Sequence, residues 1–222
     1  MSFNCVIFDF NGTLFWDTEL HNRAWDLFLV KHDIRMSDKD KDSMIHGRNN
    51  QEILKMLFGQ DLDTGKQNRY IVEKEGIYQD MVLETGLGLA PGVEEFLDFL
   101  KSSGVRFTIA TASGIENVSF YFDHLKLSRW FDYSKVVFNN GLIKSKPDPE
   151  IFLTAMRLLD AEQRGTVIFE DSETGLKAAL AAGPGIVIRV NSSGADSYAN
   201  DLETISHFGE VRREIFCSYQ YD

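Results

Sequence analysis

Two cysteines in 222 residues, Cys5 and Cys217, are too few and too far apart for a disulfide framework, and their spacing fits no zinc or redox motif. No apolar run approaches the ~18–20 residues of a membrane span. Residues 1–10 carry no basic region and their apolar run stops at Asp9, so no secretory signal is expected. A reducing cytoplasm is the expected location. Basic residues are scarce: 23 Lys+Arg against 34 Asp+Glu leave a formal charge of −11, which argues against a nucleic-acid surface. A small anionic substrate stays open if a metal or local lysines meet it. Internal repeats, a nucleophile elbow, a zinc helix motif and a Walker loop are all missing. The glycines of residues 86–92 mimic a dinucleotide loop, but no strand precedes them and Pro91 displaces the spacing.

What the chain does have is a hydrophobic fraction of 43% with 17 Phe, enough for a substantial core. Short apolar runs alternate with helical patterns, which predicts an α/β protein with a parallel sheet. Val6-Ile7-Phe8 leads into Asp9, and Phe107-Thr108-Ile109-Ala110 into Thr111. Val136-Val137-Phe138 leads into Asn139, and Val167-Ile168-Phe169 into Glu170 and Asp171. Residues 186–190 give a fifth strand. Uninterrupted apolar runs suit strands covered on both faces. Helices are predicted from Pro91 to Gly104, from Asp148 and Pro149 onward, and from Ser172 to Ala182. Residues 16–87 break the alternation and read as helices alone. One is capped at Thr18 with Leu20, Ala24, Leu27 and Phe28 on one face; others cover about 50–58 and 66–84. The expected organisation is therefore a Rossmann-like core of residues 1–15 and 88–222, with an inserted all-helical cap of residues 16–87. In an open parallel sheet, ligands bind at the carboxyl ends of the strands. Asp9, Thr111, a lysine (Lys144 or Lys146) and the Glu170–Asp171 pair should meet there. Two carboxylates can hold Mg²⁺, a lysine and a hydroxyl can hold a phosphoryl group, and a free carboxylate can attack phosphorus. Lys144 has the simpler reading of a surface residue.

Those residues carry a family resemblance. Asp9-Phe10-Asn11-Gly12-Thr13-Leu14 resembles the first motif of the haloacid dehalogenase-like phosphohydrolases. Ala110-Thr111-Ala112-Ser113 is similar to the second, Lys146-Pro147-Asp148-Pro149 to the third, and Glu170-Asp171-Ser172-Glu173-Thr174-Gly175 to the fourth. His21-Asn22-Arg23-Ala24-Trp25, His46-Gly47-Arg48-Asn49-Asn50 and Lys74-Glu75-Gly76-Ile77-Tyr78 resemble the cap of the β-phosphoglucomutase-like subgroup. The resemblance implies an Mg²⁺-dependent phosphohydrolase for a small phosphorylated metabolite, often a sugar phosphate, working through an aspartyl phosphate on Asp9; for the oligomeric state, which the sequence does not fix, a monomer is the default expectation. It implies that Asp9, the carbonyl of Asn11 and Asp171 hold the metal, with Glu170 beside them. By the same resemblance, Thr111 and Lys146 bind the transferring phosphoryl, Gly12, Ala112 and Ser113 line its pocket, Arg48 and Lys74 reach the substrate from the cap, and His21 is a hinge or relay.

Residue 11 departs from the pattern. Related phosphatases and mutases usually carry a second aspartate there, which protonates the leaving oxygen and then activates water. An amide exchanges no proton, and such a role is typically worth 10²–10⁴-fold. Three accounts remain: a substrate with a good leaving group, a proton from elsewhere such as His21 or a cap carboxylate, or a slow or non-catalytic relative that binds a phosphorylated ligand. A sugar phosphomutase is a further alternative, against which Asn11 counts. Asn11-Gly12 is also a sequence prone to deamidation, which would turn residue 11 into aspartate.

Overall fold

The computed structural model describes residues 3–37, 40–41, 44–45, 48–192, 194 and 202–216; His46, Gly47 and Cys217 lie outside them. Five strands form one parallel sheet: β1 (Cys5–Phe8), β2 (Arg106–Ile109), β3 (Thr166–Glu170), β4 (Ile186–Val190) and β5 (Glu203–Ile205), in the order β2-β1-β3-β4-β5. The register aligns Ile7 with Thr108 on one side and with Ile168 on the other. Alternation along the strands sorts side chains between two cores. Val6, Phe8, Val167, Phe169, Ile188 and Val190 face one apolar cluster, which includes Phe96 and Leu100 of α4 (Val93–Ser102) and Tyr121 of α5 (Ile115–His124). Cys5, Ile7, Ile168 and Val187 face the other, with Phe152 and Met156 of α6 (Glu150–Leu158) and Leu176 of α7 (Glu173–Ala181). Burial on both faces is the physical reason these strands read as unbroken apolar runs.

Between β1 and α4, the described residues contain no strand. Among the described residues the helices there include α1 (Thr18–Lys31), α2 (Asn50–Phe58) and α3 (Thr64–Thr85), with further helical residues at 40–41 and 44. They surround an apolar cluster of their own, built on Trp25, Phe28, Ile45, Ile53 and Leu54. Among the described residues, no helix is long and apolar enough to cross a membrane.

Three sequence expectations need correction, and one strand is added to them. Residues 136–138 are not a strand: Val137 makes one isolated bridge, to Ala110, and then Asn139 turns its N–H to the carbonyl of Ser113. The tail adds β5, a strand of three residues whose periodicity is too short to see. In α1 the buried stripe is Ala24, Trp25, Phe28 and Leu29, and Leu27 is 48% exposed; the N-cap position is Asp17, not Thr18, and its side chain makes no cap hydrogen bond. The N-cap of α6 is Pro149, with the Asp148 carboxylate accepting from the Glu150 N–H one step earlier.

Candidate active site

The sheet delivers its chemistry at the carboxyl ends of β1 and β3. One residue past β1, the N–H of Asp9 still pairs with the Phe169 carbonyl at 2.9 Å, so the ladder holds the Asp9 backbone. Lys146 arrives from the loop before α6, its ammonium 5.0 Å from the Phe152 ring. Its Nζ donates to Asp9 Oδ1 and, at 2.7 Å, to Glu170 Oε2. The other oxygen of Glu170 accepts from the backbone N–H groups of Asp171 and Ser172 and from Ser172 Oγ. Asp171 stands beside them, with Oδ1 accepting from Thr13 Oγ1 at 3.0 Å.

Three carboxylates thus face one buried ammonium. Burial, and then the charge of Glu170, raises Asp9 to about 7; Lys146 pulls the other way. Burial, then the charges of Glu170 and Asp9, push Asp171 well above its usual value, against the pull of Lys146. Burial alone would lower Lys146, but Asp9 and Glu170 overcome it and hold the lysine above its ordinary range. The cluster therefore carries an uncompensated demand for positive charge. One oxygen from each of Asp9, Glu170 and Asp171 lies within 4.8 Å of the others, and hard oxygen donors at that spacing fit a small divalent cation.

Two glycines are required here. Gly12 sits at φ +81°, and a Cβ on it would lie 2.1 Å from Asp171 Oδ2. A Cβ on Gly175, at the start of α7, would lie 2.0 Å from the Glu170 carboxyl carbon. Gly175→Ala must therefore displace the carboxylate that holds Lys146. It is expected to destabilise the fold by on the order of 3 kcal/mol, measured by urea denaturation; a loss within about 0.5 kcal/mol, the ordinary size of a surface effect, would show the packing to be looser than described.

Thr111, one residue past the bridged Ala110, is buried; its Oγ1 accepts from the Ser113 N–H and points at Asn11 Oδ1, 3.4 Å away. Ser113 Oγ donates to the same Oδ1 at 2.8 Å. The Asn11 amide nitrogen faces the other way, toward Asp17 Oδ2 at 2.7 Å, Tyr121 OH at 2.9 Å and His21 Nε2 at 3.2 Å. Asp17, fully buried, also accepts from the Gly12 N–H and from Tyr78 OH. Burial first, and then the Asp17 charge, keep Tyr78 and Tyr121 well above the usual phenol value, so both stay protonated donors. The Lys74 ammonium meets His21 Nδ1 at 3.0 Å, and His21 Nε2 lies 3.2 Å from the Asn11 amide nitrogen and 3.3 Å from Asp17 Oδ2.

This network bears on the Asn11-Gly12 bond. Deamidation needs the Gly12 nitrogen to attack the Asn11 side chain, yet that N–H is held by Phe15 O at 2.6 Å and the amide is held at both ends. Native protein should gain one dalton at residue 11 far more slowly than urea-unfolded protein, by peptide mass spectrometry. Equal rates would mean that the network does not protect the bond.

The residues named from sequence therefore converge, with one division of labour. Asp9, Asn11, Gly12, Thr111, Ala112, Ser113, Lys146, Glu170 and Asp171 gather at the strand ends. His21, Arg48 and Lys74 line the same cavity, of about 770 Å³, as Asp9, Thr111 and Asp171. Lys144 is 74% exposed and pairs loosely with Asp148, as a surface lysine should. Asp17 and Tyr121 carry no signal in the sequence, and Glu75 and Tyr78 enter it only as members of the Lys74-Glu75-Gly76-Ile77-Tyr78 segment. A carboxylate just before a helix pattern looks like an ordinary capping acid, and nothing local reveals that it is buried.

The order β2-β1-β3-β4-β5 places a crevice between β1 and β3, where the chain switches direction across the sheet, and the cluster sits at that switch point. A doubly wound α/β enzyme is the class this defines. A family model described as haloacid dehalogenase-like hydrolase matches residues 3–183, and the chain belongs to that family. It is 29% identical to a phosphorylated carbohydrates phosphatase of Thermotoga maritima over 80% of this chain and 81% of the relative. It is 30% identical to a beta-phosphoglucomutase of Bacillus subtilis over 80% of this chain and 79% of the relative. A crystal structure of a HAD hydrolase, family IA, variant 3, from Entamoeba histolytica superposes with a TM-score of 0.82 at 30% identity, covering 97% of each chain.

Proposed function

We propose that this hydrolase is an Mg²⁺-dependent phosphatase for a small phosphorylated carbohydrate, with residues 16–87 acting as a cap over a core of residues 1–15 and 88–222. The observation that carries the reading is the single ammonium of Lys146 shared by Asp9 and Glu170, with Asp171 alongside and Thr111 on the same cavity wall. The T. maritima phosphatase and the B. subtilis mutase supply the substrate class.

Asp9 Oδ is the nucleophile. It bonds to phosphorus in line with the ester oxygen as the ester P–O bond breaks, and the leaving oxygen departs as an anion that takes its proton from solvent; water then attacks the phosphorus of the aspartyl phosphate, breaking its bond to Asp9 and giving inorganic phosphate and the Asp9 carboxylate, the water's proton passing to phosphate or solvent. Lys146 offsets the repulsion between Asp9 and the incoming anion, and Thr111 Oγ1 and Ser113 hold phosphoryl oxygens. Asp9, the Asn11 carbonyl and Asp171 would hold Mg²⁺, with Glu170 beside them; the ion would neutralise charge on the transferring group. Asn11 fixes groups in place without exchanging a proton. The reading therefore favours leaving oxygens that depart as anions, such as those of anomeric, acyl or aryl phosphates. The mutase alternative needs that proton in both half-reactions.

The test is a panel of sugar phosphates, acetyl phosphate and p-nitrophenyl phosphate with Mg²⁺ and with excess EDTA. Turnover that is strongest on anomeric and activated phosphates and lost with EDTA is expected. Tight binding of phosphate esters without turnover would make the chain a ligand-binding relative; interconversion of glucose phosphates would make it a mutase.

A further inference from the structure

We propose that Glu75 and Arg48 read hydroxyl groups at the cap end of the cavity, so that the substrate is a polyol or sugar carrying one phosphoryl group and no second anion. This rests on the phosphatase reading and narrows it.

Glu75, on α3, is 6% exposed yet forms part of the cavity wall. Burial opposes its charge, but Lys74 and then His21 outweigh it and bring the carboxyl down to about 2. It is thus an ionised, acceptor-only group at neutral pH. Its Oε1 is engaged by Lys74 Nζ at 3.0 Å and by the Asn50 amide at 2.5 Å. Its Oε2 is buried and reaches no donor with hydrogen-bond geometry among the described residues, although the Asn117 amide approaches and supports the charge. Arg48 presents the opposite need: its Nε is buried without an acceptor among the described residues, and its ion pair to Glu52 is a loose 4.0 Å. Both side chains line the same cavity.

An acceptor and a donor that each lack a well-formed hydrogen bond, on two residues lining one cavity, select for a group that gives and takes. Hydroxyls do both. An ionised phosphate or carboxylate satisfies Arg48 but leaves Glu75 Oε2 without a donor and adds like charge beside it. Lys74 does not offset that charge, because its ammonium is bonded to Glu75 and lies 5.2 Å and 5.3 Å from the Trp25 and Tyr78 ring centres. Sites built to bond a hydroxyl reject analogues that lack it by up to ~10⁴–10⁵-fold.

Wild type, Glu75→Gln and Glu75→Asp are compared with Mg²⁺ on matched mono- and bisphosphates of a triose, a pentose and a hexose. The readouts are kcat/KM and Kd by calorimetry. Wild type is expected to favour the monophosphate in at least one pair by tenfold or more, and Glu75→Gln to narrow that preference at least tenfold. Glu75→Asp keeps the charge beside buried Lys74, which covers the case in which the glutamine variant does not fold. It should retain the bias against bisphosphates while losing monophosphate affinity about tenfold. A wild type that prefers bisphosphates, or a folded Glu75→Gln whose preference stays within twofold of wild type, overturns the assignment. Monophosphate-selective binding that shifts in Glu75→Gln without any turnover overturns the phosphatase reading and upholds this one. If neither class binds, both fall.

Discussion

Asp9→Asn is expected to lower kcat by roughly four or more orders of magnitude and, in metal-free protein at pH 8, to raise the melting temperature. The first effect follows from losing the nucleophile, a change that typically removes most of the rate enhancement. The second follows from the electrostatics of the cluster. Asp9 is buried against Glu170, and its value of about 7 stands above the 3.8 of a free aspartate. Between about pH 4 and pH 7, the unfolded chain has released this proton while the folded, metal-free chain still holds it. Folding stability therefore falls as pH rises through that window, and above it the penalty is fully present. An amide carries no such penalty and leaves Lys146 its bond to Glu170. For a chain of this size, each kcal/mol regained is worth ~2–4 °C. Mg²⁺ should shrink the gap, since the cation stabilises the ionised carboxylate of the wild type by binding it. Calorimetric scans with and without Mg²⁺ at pH 5 and pH 8 measure both effects. A wild type more stable than Asp9→Asn in EDTA at pH 8 would mean that Lys146 compensates Asp9 fully, and the electrostatic argument for a cation site at Asp9, Glu170 and Asp171 would fail with it.

The contrast between Asp9 and Asp17 shows what the sequence carries and what it does not. Asp9 ends a run of three apolar residues, and three other such runs end in residues with related chemistry; the parallel sheet turns that one-dimensional regularity into a place. The strands were legible for the same reason, because burial on both faces removes polar residues from them. Val136-Val137-Phe138 shares the composition but fails as a strand. It leaves a 3-10 turn at residues 133–135, and after one bridge the N–H groups of Gly141 and Leu142 are taken by the Asn139 and Asn140 side chains. Lys74 lies in a charged helix where exposure is the ordinary expectation, yet it is 1% exposed among Trp25, Tyr78, His21 and Glu75. Asp17 and Glu75 are acids in polar segments, and only the approach of α1, α3 and α5 to the strand ends buries them. Buried charge is also met across long sequence separations, here Asp17 by Tyr78, Lys74 by His21 and Glu75 by Asn50, and local pattern holds no record of such pairs.

Asn11 and Asp17 lead to the second large expectation. A carboxylate at residue 11 is the intuitive repair for the missing acid, but Asn11→Asp alone should gain little. The Asn11 amide nitrogen lies 2.7 Å from Asp17 Oδ2, and two carboxylates at that separation hold one proton between them. Asp17 is the better-served partner, since the Gly12 N–H and Tyr78 OH already donate to it. The shared proton would lie between residues 11 and 17 and not face the substrate. The orientation of the amide supports this account: Ser113 and Thr111 can donate to Oδ1, and Asp17 can only accept. The reciprocal change Asn11→Asp with Asp17→Asn restores the match with the roles exchanged. Residue 17 would then donate its amide to the new carboxylate at residue 11, while its carbonyl still accepts from Gly12. On alkyl phosphates with poor leaving groups, the double variant should exceed wild type by on the order of 10²-fold in kcat, within the usual range for general acid–base catalysis. Asn11→Asp should fall at least tenfold short of it, and Asp17→Asn alone should bring no gain. On p-nitrophenyl phosphate, whose leaving group needs no proton, the advantage should shrink, because only water activation remains to benefit. A single Asn11→Asp change that matches the double variant would show that Asp17 does not constrain residue 11. A double variant no faster than wild type would place the proton donor elsewhere in the cavity.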